Sequence, residues 1–355
     1  MDDDALTAAY GQVEPELVVQ SSDMALMNIA SLANSGALDL SPRFQRRNRW
    51  DRDRQSRLVE SFLQNVPVPP VYLAEEARGV YAVIDGKQRL TAIVNFFNDE
   101  FRLSRLVLIP TLEGLSFSEL PADVKSKLAL RPLRAVTILR QSEDWVKHEV
   151  FLRLNTGGEP LNAQEIRNVA FAGPLNDRII DLAQHPFLVS QLKIQSHNSS
   201  AYAKMVDVEA VLRYFALSEL WARDLVGYGG NLREALDRFM LQHHRDGASA
   251  IKRFEARFLR ALHWCQQLWG EEAFRRYDGL QWRDQFIGAI YDAQMIAVDL
   301  FEDQELKRID VKAVKQETAN LFTDFEFDDA VRVSTNTSSR LSYRIQAVRQ
   351  LLSTV

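Results

Sequence analysis

The stretch Val83-Ile84-Asp85-Gly86-Lys87-Gln88-Arg89-Leu90-Thr91 (VIDGKQRLT, residues 83–91) joins an apolar run to a helical pattern. Residues 80–84 read as a strand, and Asp85-Gly86 as the turn after it. Leu90, Ile93, Val94 and Phe97 then recur at i, i+3, i+4 and i+7, which predicts a helix from about residue 87 to Asn98-Asp99. A strand, a tight turn and a helix in direct succession argue for a mixed α/β domain. The turn also poses a question. Lys87 and Arg89 fall in the first helical turn, where the helix already carries partial positive charge. An anion bound there would relieve the conflict. Backbone N–H groups of a first turn lack helical partners, and Gly86 has no side chain to obstruct a ligand. Arg89 offers a planar fork suited to phosphate and Lys87 a point charge. The plainer alternative has Asp85 as a helix cap, Gly86 as a turn glycine and both cations in water; the pentapeptide alone leans that way.

Working outward, residues 53–65 predict a helix that Asp53 can cap, with Leu58, Val59, Phe62 and Leu63 on its apolar face. VPVPP (66–70) stops it. Residues 71–74 predict a strand, separated from 80–84 by the polar turn EEARG. Residues 101–103 and 133–139 predict further short strands, around an insertion with a small helix at 121–129. A helix over 142–154 stops at Asn155-Thr156-Gly157-Gly158, and Asn162-Ala-Gln-Glu165 resembles a capping box opening the next. From residue 174 onward the pattern is helical throughout, at about 175–184, 206–223, 231–244, 249–269, 282–300, 311–322 and 338–351. The expected class is therefore α+β: a mixed α/β domain over 1–173 and an all-α domain over 174–355.

Composition restricts the function classes. The 355 residues are 46% hydrophobic and 26% charged, values of a globular protein with a real core. Cys265 is the only cysteine, which excludes an intrachain disulfide or a cysteine-based zinc site and suits a reducing, cytoplasmic setting. The start MDDDALTAAY lacks the basic and apolar regions of a secretory signal, and no apolar run approaches the ~20 residues of a membrane span. Net charge is −5, yet residues 41–57 (SPRFQRRNRWDRDRQSR) hold Arg43, Arg46, Arg47, Arg49, Arg52, Arg54 and Arg57 against only Asp51 and Asp53. Such a cluster can bind phosphates on an acidic protein; a solvated face with local ion pairs is the plainer alternative. The six histidines are scattered, and His243-His244 lacks metal-ligand spacing on a helix. Asp324, Glu326, Asp328 and Asp329 read as a solvated acidic turn rather than a calcium loop.

Several motifs in order give a closer reading. Phe44-Gln45-Arg46, Trp50, residues 58–62, Pro69-Pro70, Asp85-Gly86-Lys87-Gln88-Arg89, Asn155-Thr156-Gly157-Gly158, Leu161-Asn162 and Glu165-Ile166-Arg167 together resemble the N-terminal domain of GmrSD-type restriction endonucleases. Residues 205–215 extend the likeness, which spans about 42–215. The hallmark of that family is a DGQQR motif; here Lys87 stands where the family usually has Gln. The resemblance implies a ParB/sulfiredoxin-like fold, nucleotide-dependent defence against phage and modified DNA, and a nucleotide-binding and hydrolysis centre at the motif. Its cofactors would be Mg2+ and a nucleoside triphosphate.

Carried over position by position, Asp85 would orient the turn or hold a Mg2+-bound water. Gly86 would permit close phosphate approach, Lys87 would attract phosphate, and Gln88 would position a water or a phosphate oxygen. Arg89 would clamp phosphate and stabilise developing charge. Thr91 would donate to the ligand or face solvent. Glu60 lies about 130° from the centre of its helix's apolar face. It is either a second carboxylate, as base or metal ligand, or a surface partner of Arg57. Gln45 would reach the phosphates, Arg46 would reach them, contact DNA or belong to a solvated arginine cluster, and Arg43, Arg47 and Arg49 would face DNA. Asn155 and Thr156 would line the site, whereas Gly157, Gly158 and Asn162 have structural explanations. Glu165 and Arg167 would form a buried ion pair.

Fused members of the family carry an HNH-type nuclease half, and no such signature follows here. The expectation is a nucleotide-binding regulatory subunit of a restriction or phage-defence system, acting on DNA directly or through a separate HNH-type nuclease, with hydrolysis left open by Lys87. The alternative is a non-enzymatic DNA-binding or antitoxin-like protein that keeps the fold.

Overall fold

A computed structural model of the chain describes residues 17–40, 50–154, 162–196 and 199–355. The chain divides into two compact units, Met1–Ala170 and Phe171–Val355. Its class is α+β, with a mixed sheet and helices in the first unit and helices in the second.

The first unit runs β1 (Val19–Ala25), α1 (Leu26–Asn34), β2 (Leu38–Asp39), α2 (Arg52–Leu63), β3 (Val71–Ala77), β4 (Val80–Asp85), α3 (Lys87–Phe97), α4 (Ala122–Ala129), β5 (Pro132–Ile138), α5 (Asp144–Leu154) and α6 (Ala163–Ala170). The sheet order is β1-β5-β3-β4-β2. β1 is antiparallel to β5, β5 parallel to β3, β3 antiparallel to β4, and β4 parallel to β2. Strand periodicity sorts side chains between two cores. Val71, Leu73, Val83, Leu133 and Ala135 face the larger core, with Leu58 and Phe62 of α2 and Leu90, Ile93 and Phe96 of α3. Their neighbours Ala74, Ile84 and Ile138 face the other side, against Ile166 of α6. The central strands are thus covered on both faces, which explains why β4 reads as a continuous apolar run rather than an alternating one.

Register brings several chain turns to one end of the sheet. Tyr72 at the start of β3 lies opposite Asp85 at the end of β4, and Val71 lies beside Ala135 near the start of β5. The 66–70 loop, the β4–α3 turn and the entry to β5 therefore gather at the same edge.

Some elements depart from expectation. Residues 101–103 form no strand. Leu103 exchanges single backbone bonds with Leu115 and Gly114, while Phe101 and Leu103 are buried as loop anchors. Their apolar alternation reflects core burial, not a ladder. Asp51, not Asp53, caps α2, accepting from the Arg54 N–H at 2.8 Å. Asp53 instead accepts from Ser104 and pairs with Arg105 at 3.0 Å. β1 has no apolar pattern because its side chains are mostly exposed; only its pairing with β5 makes it a strand.

The second unit comprises α7 (Pro174–Ala183), α8 (Pro186–Gln191), α9 (Ser200–Ala203), α10 (Val206–Trp221), α11 (Leu232–His243), α12 (Ala248–Trp269), α13 (Gly288–Val298), α14 (Asp303–Leu306), α15 (Val311–Leu321), α16 (Phe325–Arg332) and α17 (Ser338–Thr354). α13 is its axis: Ala289 through Val298 are all buried, and α10, α12 and α17 pack on it. The expected start at 282 is wrong by a turn and a half, because Trp282 bridges to Tyr277. Two arginines carried into this core find acceptors. Arg213 forks onto Asp292, and the buried Arg344 donates to the carbonyls of Ala289, Ala330 and Thr335 at 3.2, 2.8 and 2.8 Å. The acidic run is structural as well. Asp324 caps α16, Asp328 holds Arg276, and Asp329 pairs with Arg340.

Candidate functional site

The β4–α3 turn has the expected outline and an inward-facing interior. Gly86 is the N-cap residue of α3 and adopts φ +93°, a left-handed conformation that disfavours side chains. A Cβ on Gly86 would sit 2.4 Å from Val71 Cγ1 and 3.0 Å from Arg89 Nη2. The glycine is therefore required by β3 packed behind it, before any ligand is considered. Lacking a side chain, it caps none of the first-turn N–H groups, and that turn contains no acidic residue.

Asp85 does not cap the helix either. Its Oδ2 accepts from Arg89 Nη2 at 2.8 Å, one helical turn on. The same Nη2 donates to the carbonyl of Pro70 at 3.1 Å, fastening the 66–70 loop to the turn. Arg89 is 17% exposed and Asp85 34%. Arg89 Nε is buried with no hydrogen-bond partner, an unsatisfied donor of the kind that native interiors rarely keep. Lys87 and Gln88 are half-buried at the helix start. Gln88 Oε1 accepts from the Trp50 backbone N–H at 3.0 Å, and Gln55 Nε2 donates to the Trp50 carbonyl at 2.9 Å. Trp50 directly follows Arg49 in the chain. Thr91 is half-buried, and its hydroxyl makes no hydrogen bond among the described residues.

Glu60 stands apart from this group. It is 4% exposed, and its Oε1 accepts from the backbone N–H groups of Leu108 and Ile109 at 2.6 and 3.0 Å. This carboxylate organises the loop after α3. It pairs neither with Arg57, the alternative raised above, nor with the turn. Among the described residues no three His, Cys, Asp or Glu side chains converge as a metal site. Asp85 is then the carboxylate available at the turn. That suits Mg2+, which keeps most of its waters and shares one or two protein carboxylates with phosphate.

Gln45, Arg43, Arg46, Arg47, Arg49, Asn155 and Thr156 lie outside the described residues. The capping box forms as expected: Asn162 N–H donates to Glu165 Oε2 at 2.7 Å and Glu165 N–H to Asn162 Oδ1 at 2.9 Å. Arg167, buried, donates to Gln164 Oε1 at 3.1 Å. Glu165 and Arg167 are both buried on α6.

Two participants were invisible to motif reading: the Pro70 carbonyl and the Trp50 N–H. Backbone groups carry no residue signature, although Pro69-Pro70 and Trp50 stand among the motif residues.

The model of one protein family, described as the GmrSD restriction endonuclease, N-terminal domain, matches residues 28–172. The match begins within α1, covers the β4–α3 turn and ends just after α6. Comparisons with curated proteins and with solved structures found no match. Residues 28–172 are thus similar to the GmrSD restriction endonuclease N-terminal domain, a likeness that covers about two fifths of the chain.

Proposed function

We propose that this chain is the nucleotide-binding part of a DNA-restriction or phage-defence system, with the β4–α3 turn as its phosphate site. The observation that carries the reading is the start of α3. The helix opens without a side-chain cap, Lys87 is its first residue, and Arg89 beside it keeps a buried, unpartnered Nε. Helix N-termini with added cations favour phosphate. The family match supplies the restriction or defence context.

In this reading Lys87 and the opening turn of α3 bind phosphate. Arg89 holds the turn against Pro70 and adds positive potential, and Asp85, bonded to Arg89, would share a Mg2+ ion. Gln88 ties the turn to Trp50, and the arginine run before Trp50 in sequence would face DNA or the ligand's outer phosphates. Bound Mg2+ would supply charge neutralisation on the phosphates. Lys87 favours holding a nucleotide over turning it rapidly. DNA cleavage would belong to a separate HNH-type nuclease.

The test is a thermal-shift panel of the four nucleoside triphosphates, each with and without Mg2+. A ligand that binds only the folded state raises its apparent stability. The expected result is a rise for at least one nucleotide, lost in Lys87→Ala. No rise with any nucleotide would overturn the reading.

A further inference from the structure

A second cleft, of about 540 Å3, opens at the same end of the sheet. One side is the 65–70 loop with Phe62 behind it; the other is the entry to β5. Pro70 lines this cleft while its carbonyl receives Arg89, so this residue is the wall shared with the β4–α3 turn. The volume lies in the range of small-ligand pockets, which are mostly apolar with a few converging polar groups. This cleft is more polar than that, with polar and apolar groups in about equal share. Phe62, Val66 and the prolines are its apolar surface, and Asp23, Asn65, Arg131 and Arg134 its polar groups.

The charges do not cancel. Arg134 forks onto Asp23, with Nε to Oδ1 at 2.7 Å and Nη2 to Oδ2 at 2.9 Å. That pair is neutral and leaves Nη1 of Arg134 outside it. Arg131 has only neutral partners: Nη1 donates to Asn65 Oδ1 at 2.9 Å and Nη2 to the Leu63 carbonyl at 3.3 Å. Its Nε is buried without a partner. Among the described residues no carboxylate pairs with Arg131, so the cleft carries an unbalanced positive charge beside an apolar wall.

We infer that this cleft is a second ligand site, distinct from the β4–α3 turn, for a small organic oxyanion whose charged end meets Arg131 and Arg134 and whose apolar body lies on Phe62 and the 66–70 loop. Asp23 competes with the ligand for Arg134 and so limits affinity. The oxyanion is a phosphate monoester or a carboxylate, since a guanidinium fork accepts either. The inference stands independently of the proposed nucleotide site.

Calorimetric titration of the full chain with phenyl phosphate, benzoate and the neutral analogue phenol tests it. Phenyl phosphate, benzoate or both should bind, and phenol should not; whichever anion is tighter identifies the class. Arg131→Gln should weaken binding about tenfold, the loss expected for a charge-assisted bond. Asp23→Asn should strengthen it roughly two- to fivefold, the scale of an exposed ion pair. Asp23 is at the surface, so that variant keeps its fold and remains informative if Arg131→Gln is unstable. Lys87→Ala should leave anion binding here unchanged, whatever it does to nucleotide binding. Three results would overturn the inference: equal binding of phenol, no gain in Asp23→Asn, or loss of the anion in Lys87→Ala, which would place it at the turn.

Discussion

Asp85 and Arg89 face each other across one turn at the start of α3, with Oδ2 and Nη2 2.8 Å apart. This pairing answers the question posed by two cations in a first helical turn. Arg89 is balanced by the acid four residues before it, an order that favours helical ion pairs. Its charge is also turned toward the Pro70 carbonyl rather than along the helix axis.

In the proposed site, Asp85 would compete with phosphate for the Arg89 guanidinium. Asp85→Asn should leave the fold intact, changing stability by no more than about 1 kcal/mol for a partly exposed pair. It should tighten metal-free binding of inorganic phosphate or nucleotide several-fold, and it should reduce any benefit from Mg2+. Titrations with and without the metal check both effects, which move in opposite directions.

Gly86→Ala tests the packing behind the turn. The added methyl would meet Val71 Cγ1 at 2.4 Å in a backbone with φ +93°. Left-handed strain and overpacking together should cost about 2–4 kcal/mol. Urea denaturation should show a lower midpoint with an unchanged slope.

Glu60 holds a loop rather than the turn. Glu60→Ala strips the acceptor from two backbone N–H groups in the interior and should cost about 2–4 kcal/mol. Glu60→Gln retains an acceptor oxygen and should cost less. Nucleotide affinity, and any hydrolysis, should be unchanged in Glu60→Gln; a large loss there would assign this residue to the reaction.

The helical unit carries a pH-sensitive cap. His185 Nδ1 accepts the Phe187 N–H at 3.3 Å at the start of α8, which requires that nitrogen to be unprotonated. Burial lowers the His185 pKa below its ordinary 6.5. The unfolded chain therefore binds the proton more readily. The stability from this group is present above pH 6.5 and is lost as pH falls through the lowered value. Melting temperature should decline over that window. His185→Asn, which can cap without titrating, should flatten this part of the profile.

Much of the first unit was legible in sequence because its signals are local. β4, the Asp85-Gly86 turn and α3 follow from an apolar run, a glycine and a 3.6-residue period, and the Asn162–Glu165 capping box from four residues. β1 was not legible, because only β5 makes it a strand. The roles at the turn divide the same way. Sequence identified the DGKQR residues as the place where a helix start meets cations. It gave Gly86 a ligand-facing reason, whereas the nearest constraint is Val71, fifteen residues earlier.

The sequence by itself determined the strand-turn-helix unit, the α+β class and the family likeness of residues 28–172, since each rests on order and spacing along the chain. Tertiary structure alone decided which polar groups meet. It turned Arg89 onto Asp85 and Pro70, took Glu60 away to the loop after α3, and set Arg131 without a counter-charge beside a cleft. The physical reason is that hydrogen bonds and charge balance act over a few ångströms in space. The pairs that matter here include residues 19, 48 and 66 positions apart in sequence, distances at which no local pattern can report them.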